Sequence, residues 1–258
     1  MSASAAADSW ARALSDWRLP PEILAAAPQD PWAFPTDLFD RRGEAALTAA
    51  STPSALRALE ALAPRGSVLD VGAGGGAAAF ALRDRMTRLT GLRARAGTAG
   101  VQARTVEGSW PEVADRVSAH DVVVCHHVVY NVPRIARFLA ELDRHARRRV
   151  VVELTDRHPL ANLSPLWLKF HGLVRPDRPT ADDFMAVVAE LGVTAYAVRW
   201  DADADDGLDA AARARLARIR LCLPVEREGE VAEALAILGP PRPTRVTVWW
   251  DVDRAGAR

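Results

Sequence analysis

Short, continuous apolar runs alternate along the chain with stretches in which apolar residues recur every three or four positions. The runs at 67–71, 101–106, 121–125, 149–154, 193–199 and 245–251 read as strands. Their alternation with helical patterns predicts a mostly parallel sheet covered by helices on both faces. The intervening stretches carry helix signals. Asn131-Val132-Pro133 opens a helix over Ile135–His145, and Thr180 to Asp183 form a capping-box start for a helix over 184–191 that Gly192 is placed to close. The acidic, apolar-poor stretch 201–209 predicts an exposed loop before an Arg-rich helix over Ala210–Arg220. Residues 1–60 are rich in Ala, Pro and Trp, and Pro20, Pro21, Pro28, Pro31 and Pro35 break them into short helical pieces. The expected architecture is α/β: a doubly wound, mostly parallel sheet with helices on both faces over 61–258, preceded by an N-terminal helical cap over 1–60.

Composition narrows the chemistry. With 33 basic and 33 acidic residues the chain has no net charge, which predicts a small-molecule partner and neither nucleic acid nor membrane. The cations are arginines apart from Lys169, so Schiff-base chemistry and phosphate-loop lysines are excluded from most of the chain. Cys125 and Cys222 lie in apolar runs without metal-type spacing, and 1–17 has no leader pattern. No apolar run reaches the ~20 residues that span a bilayer, and a cytoplasmic location is expected.

The sequence Val68-Leu69-Asp70-Val71-Gly72-Ala73-Gly74-Gly75-Gly76 sets an apolar strand directly before glycines, and a helix-compatible run, 77–82, follows. Glycines there allow a tight turn and close backbone approach to a ligand. Asp70, Gly72, Gly74 and Gly76 match the first motif of the class I S-adenosylmethionine-dependent methyltransferases, which this sequence resembles from about Val68 to Trp250. Val106-Glu107-Gly108-Ser109-Trp110-Pro111 resembles the end of that family's third strand, and the run from Asp121 to Val132 resembles its fourth strand and following loop. The resemblance implies a Rossmann-like fold and S-adenosylmethionine as cofactor. It implies Asp70 near the cofactor's ammonium and backbone N–H groups around Ala73 and Gly74 near its carboxylate. Gly108, Ser109 and Trp110 would border the adenine, and His126 would line the cofactor.

One position departs from the family pattern. Methyltransferases of this class end the second strand with an acid that accepts from the ribose hydroxyls, whereas the candidate strand 87–92 is followed by Arg93, which has donors only. Residues 94–100 are also short for a parallel crossover, which needs about 10–12 residues including its helix. Leu82, Met86 and Leu89 recur at helical spacing, so an alternative is that the first helix runs on to Gly91 in place of a second strand.

His126, His127 and Tyr130 follow the fourth strand, where open α/β sheets place ligands, and form the candidate catalytic group. A neutral imidazole suits removal of a proton from an O–H or N–H methyl acceptor. The blander alternative has one histidine in the core and the other beside the cofactor. Successive strand residues point to opposite faces, so His120, Cys125, His126 and His127 are not expected to converge on a metal. Glu153, His158, Trp167 and His171 follow the fifth strand and are candidates for the acceptor side. Two other functions stay open: a non-catalytic methyltransferase-like binding protein, and an NADP-dependent oxidoreductase in which Arg93 meets a 2′-phosphate. The acceptor and the oligomeric state are not specified by the sequence.

Overall fold

The structure is a computed structural model that describes residues 4–33, 52–74, 77–82, 86–90, 102–201, 208–239 and 242–252. Gly75, Gly76, Arg93 and the 91–101 link lie outside the described residues. The strands are β1 (Gly66–Asp70), β2 (Met86–Thr90), β3 (Gln102–Arg104), β4 (His120–His126), β5 (Ala146–Thr155), β6 (Tyr196–Asp201) and β7 (Thr244–Asp251). The described helices are α1 (Ala5–Asp16), α2 (Pro21–Ala26), α3 (Pro53–Ala61), α4 (Ala77–Phe80), α5 (Ile135–His145), α6 (Ser164–His171), α7 (Ala181–Glu190), α8 (Ala210–Arg220) and α9 (Glu228–Leu238).

One sheet of order β3-β2-β1-β4-β5-β7-β6 organises the chain. β1 to β5 pair in parallel, and β7 runs antiparallel to both of its neighbours. The alternative of a first helix running on to Gly91 is therefore corrected: Met86–Thr90 is a strand between β1 and β3. Helical spacing over so few residues is a weak signal, and pairing on both sides overrides it.

Strict alternation divides the sheet into two buried faces. Leu69, Val71, Val123, Cys125, Val150, Val152, Val248 and Trp250 face one apolar layer, which α5 and α7 complete with Phe138, Leu139, Leu142, Phe184 and Val187. Val68, Val122, Val124 and Val151 face the opposite layer with Ala55 and Ala58 of α3 and Ala79 of α4. The helices expected over Ile135–His145 and Ala210–Arg220 occupy those bounds. α7 begins earlier than the apolar run predicts, at Ala181, under the capping box of Thr180 and Asp183.

α1 packs on the first layer: Trp10 is 1% exposed, meets Phe184 edge-on at 5.9 Å and donates from Nε1 to the Val132 carbonyl at 3.0 Å. A third cluster lies apart from the sheet. It joins Leu19 and Ile23 from the N-terminal region to Leu166 and Trp167 of α6, Ala217 of α8 and Val231 of α9. The N-terminal segment thus shares its packing with helices that follow β5 and β6.

Candidate active site

The order of the sheet reverses between β1 and β4, so the connections from these neighbouring strands depart to opposite sides and leave a crevice at their carboxyl ends. Asp70 ends β1 and His126 ends β4. Asp70 is only 3% exposed; one of its carboxylate oxygens accepts from the Ala79 N–H, while Oδ2 has no partner among the described residues. Burial pushes its carboxyl up to about 7, against the smaller lowering effect of the Ala79 N–H.

The turn after Asp70 holds Gly72 at φ 79° and Gly74 at φ 51°, with Ala73 between them. A Cβ on Gly72 would lie 2.3 Å from Val128 Cγ2, in the loop after β4. Glycine is required there both by the left-handed backbone and by the close approach of the two loops. Gly72→Ala is expected to cost about 1–3 kcal/mol of stability in urea unfolding. A loss under about 0.5 kcal/mol would mean that the turn shifts freely away from Val128.

The segment after β3 brings Gly108, at φ 139°, against Val113. Ser109 is exposed, and Trp110 packs partly against the first apolar layer, with its ring 4.9 Å from that of His145. Trp110 Nε1 and His126 Nε2 are, like Asp70 Oδ2, buried without a hydrogen-bond partner among the described residues. Buried polar atoms are normally satisfied. Two of these atoms, Asp70 Oδ2 and His126 Nε2, lie at the carboxyl ends of the neighbouring strands β1 and β4, whereas the Trp110 ring lies beside His145, the last residue of α5, toward the amino end of β5.

Beyond the crevice, the β4–β5 register sets His126 beside Glu153. His127 follows at φ 59°, an uncommon conformation for a residue with a side chain, and its backbone N–H donates to the Glu153 carbonyl at 2.8 Å. His127 Nε2 lies 3.0 Å from Glu153 Oε1, and His126 Nδ1 lies 4.0 Å from Oε2. Arg245 of β7 donates to the same Oε1 at 3.1 Å. Burial works to raise the Glu153 carboxyl, but His126, His127 and Arg245 together hold it well below the usual carboxylate range. Burial is also the main reason that His126 is pushed down to about 4; the charges of His127 and Arg245 add to this and Glu153 opposes it.

Tyr130 is fixed differently. Its hydroxyl lies 2.7 Å from Thr155 Oγ1 and also accepts from the Thr155 N–H, and burial pushes its phenol well above the usual range. His158 stands beside it, with ring centroids 5.8 Å apart. The same imidazole stacks on Trp17, just past α1, at 3.9 Å. Burial, helped by the charge of Arg175, pushes His158 down to about 4, and the Leu160 N–H donates to its Nδ1. Trp167 and His171 are not brought to this group. Trp167 is buried in the helical cluster, and His171 Nε2 lies 2.7 Å from the Leu221 carbonyl.

The comparisons with known proteins fall on this same region. Residues 69–152 match a family model described as a methyltransferase domain. Over these residues, about a third of the chain, the sequence is similar to a methyltransferase domain. That match runs from the strand carrying Asp70 to the strand carrying Glu153, and so contains the crevice. The matched segment and the sheet around it have a Rossmann-like fold. A cyclopropane-fatty-acyl-phospholipid synthase-like protein from Lactobacillus casei superposes with a TM-score of 0.53 at 16% identity, over 89% of this chain and 97% of that one. The YcgJ protein from Bacillus subtilis superposes with a TM-score of 0.51 at 16% identity, over 78% of this chain and 99% of that one. At such identities these two likenesses speak for the fold alone. No curated protein matches the chain.

Sequence reasoning placed Glu153 on the acceptor side but did not find Arg245. Its position near the start of the strand 245–251 carries no local sign of a partner on β5. Among the described residues no group of three or more His, Cys, Asp or Glu side chains is arranged to hold a metal ion, and no helix is long and apolar enough to cross a membrane.

Proposed function

We propose that the protein transfers a methyl group from S-adenosylmethionine to a small-molecule acceptor. One observation carries this reading: the buried, unpartnered Asp70 Oδ2 and His126 Nε2 lie at the carboxyl ends of the neighbouring strands β1 and β4, beside a turn that requires glycine at Gly72. These residues fit the cofactor. Asp70 would accept from its ammonium, the backbone of Gly72, Ala73 and Gly74 would approach its methionine end, and Gly108 and Ser109 would border the adenine, while Trp110, packed on His145, would support that segment. Gly76 and Arg93 lie outside the described residues, so the ribose end of the site is assigned no residue.

When bound, S-adenosylmethionine supplies an electrophilic methyl carbon on a sulfonium sulfur that leaves with the bonding electron pair. The chain's part is to orient the acceptor and to take its proton. His126 is poorly suited to that task, because burial keeps its imidazole weakly basic. It would line the cofactor. His127 engages Glu153 through Nε2 and is about one-third exposed, which leaves Nδ1 to receive the proton that an acceptor O–H or N–H loses as its lone pair attacks. Tyr130, tied to Thr155, would hold the loop after β4 in place rather than move a proton. Trp17 and His158 would form a wall of the acceptor side, with the N-terminal segment closing it.

Titration calorimetry with S-adenosylmethionine and S-adenosylhomocysteine tests the proposal. Saturable binding of both at micromolar or tighter concentration is expected. A folded sample that binds neither would replace it with the reading of a non-catalytic, methyltransferase-like binding protein.

A further inference from the structure

The cluster at the end of β5 has an arrangement that the general reading of methyl transfer does not require. Three side chains converge on one buried carboxylate, that of Glu153. β4 contributes His126 and the residue after it, His127, while β7 contributes Arg245. Glu153 is directly opposite Thr247 across the antiparallel β5–β7 pair, and Arg245, two residues away, reaches it diagonally on the same face. Thr247 is itself fixed by hydroxyl contact with Ser54 of α3 at 2.6 Å and by the Trp200 indole N–H at 3.0 Å. The carboxylate therefore sits in a rigid frame. The backbone of His127 is held in the left-handed region while both its N–H and its ring Nε2 engage Glu153. Such a conformation costs about 1–3 kcal/mol and persists only where its surroundings over-determine it.

We propose that Glu153, steadied by Arg245, is a positioning residue that fixes His127 as the Nε2–H tautomer and so keeps its Nδ1 lone pair free for the acceptor's proton. A carboxylate accepts and does not donate, so the ring nitrogen facing it must carry the hydrogen. Charge-assisted hydrogen bonds of this kind are about twice as strong as neutral ones. The inference rests on the methyl-transfer reading for its purpose, but its geometry concerns the protein alone and is tested without cofactor.

The test is a long-range proton–nitrogen correlation spectrum of the imidazoles in the full-length, nitrogen-15-labelled protein, with the His127 signals identified by their loss in His127→Gln. Wild-type His127 is expected to favour Nε2–H over Nδ1–H by about tenfold or more, as a hydrogen bond to a charged group allows. Glu153→Gln is expected to reduce that bias by about tenfold, and Arg245→Gln to reduce it less, because Glu153 remains. An unbiased mixture or a predominant Nδ1–H form in the wild type would overturn the proposal, and this outcome needs no variant to fold. So would an unchanged bias in a folded Glu153→Gln protein. Failure to bind S-adenosylmethionine in calorimetry would instead remove the methyl-transfer reading and leave the tautomer result standing.

Discussion

Asp70→Asn is expected to make the protein more stable above pH 7 while removing most of its affinity for S-adenosylmethionine. In the folded chain the Asp70 carboxyl titrates near 7, against an ordinary value of 3.8, because burial leaves one oxygen without a partner. Between these two pH values the folded state holds a proton that the unfolded state has released. The Asp70 contribution to stability is thus greatest below about pH 4, falls as pH rises toward 7, and is flat above. Its size is on the order of 4 kcal/mol. Asparagine keeps an acceptor for the Ala79 N–H and carries no charge, so the difference between variant and wild type should grow from near zero at pH 4 to its full value above pH 7.

His126 and His158 act with the opposite sign. Their folded-state values lie near 4, below the ordinary 6.5, so their contribution is present above about 6.5 and is lost as pH falls toward 4. Both stay in the variant, so the difference between the two urea-unfolding curves isolates Asp70. A difference that does not change with pH would show that the Asp70 carboxyl is not desolvated. Loss of an ion-paired hydrogen bond should weaken cofactor binding by about tenfold to a hundredfold, read by calorimetry. In the wild type, affinity should decline by up to about tenfold per pH unit below 7, since an ammonium is best met by the ionised form. Equal affinity in wild type and Asp70→Asn would separate Asp70 from the cofactor.

Trp10→Ala is expected to destabilise the protein by about 3–5 kcal/mol, the range for removing a fully buried large aromatic. Trp10 lies 122 residues from its hydrogen-bond acceptor, Val132, in sequence, and packs on Phe184 of α7 in the layer that covers the centre of the sheet. Its loss leaves a cavity and an unpaired carbonyl on the loop that follows His126, His127 and Tyr130. Cofactor affinity should fall with stability under marginal conditions and recover where the variant is fully folded. A loss under about 1 kcal/mol in urea unfolding would mean that α1 docks loosely. In that case the N-terminal segment would act as a movable cover for the acceptor side. A loss in the expected range makes α1 part of the fold, with Trp17 and His158 as a fixed wall.

The candidate site was only partly legible in the sequence. Asp70 and the glycines after it were readable because an apolar strand, an acid and a left-handed turn form one continuous stretch, with local causes. His126 and His127 were readable as a pair at a strand end, but sequence could not divide their roles. The proposed division rests on burial, which suppresses the basicity of His126, and on the register that places a carboxylate beside them. Arg245 was not readable at all, because its partner is 92 residues away in sequence.

The sequence by itself determined the alternation of strands and helices, the bounds Ile135–His145 and Ala210–Arg220, the capping box at Thr180 and the turn at Gly72. Each follows from side-chain periodicity, capping or backbone sterics acting within a few residues. Only the tertiary structure decided that Met86–Thr90 is a strand, that Trp10 belongs to the central core, and that β7 inserts antiparallel between β5 and β6. Periodicity records that a face is buried and is indifferent to the neighbour that buries it. Strand order and register, set by packing between distant segments, brought Glu153, His127 and Arg245 together.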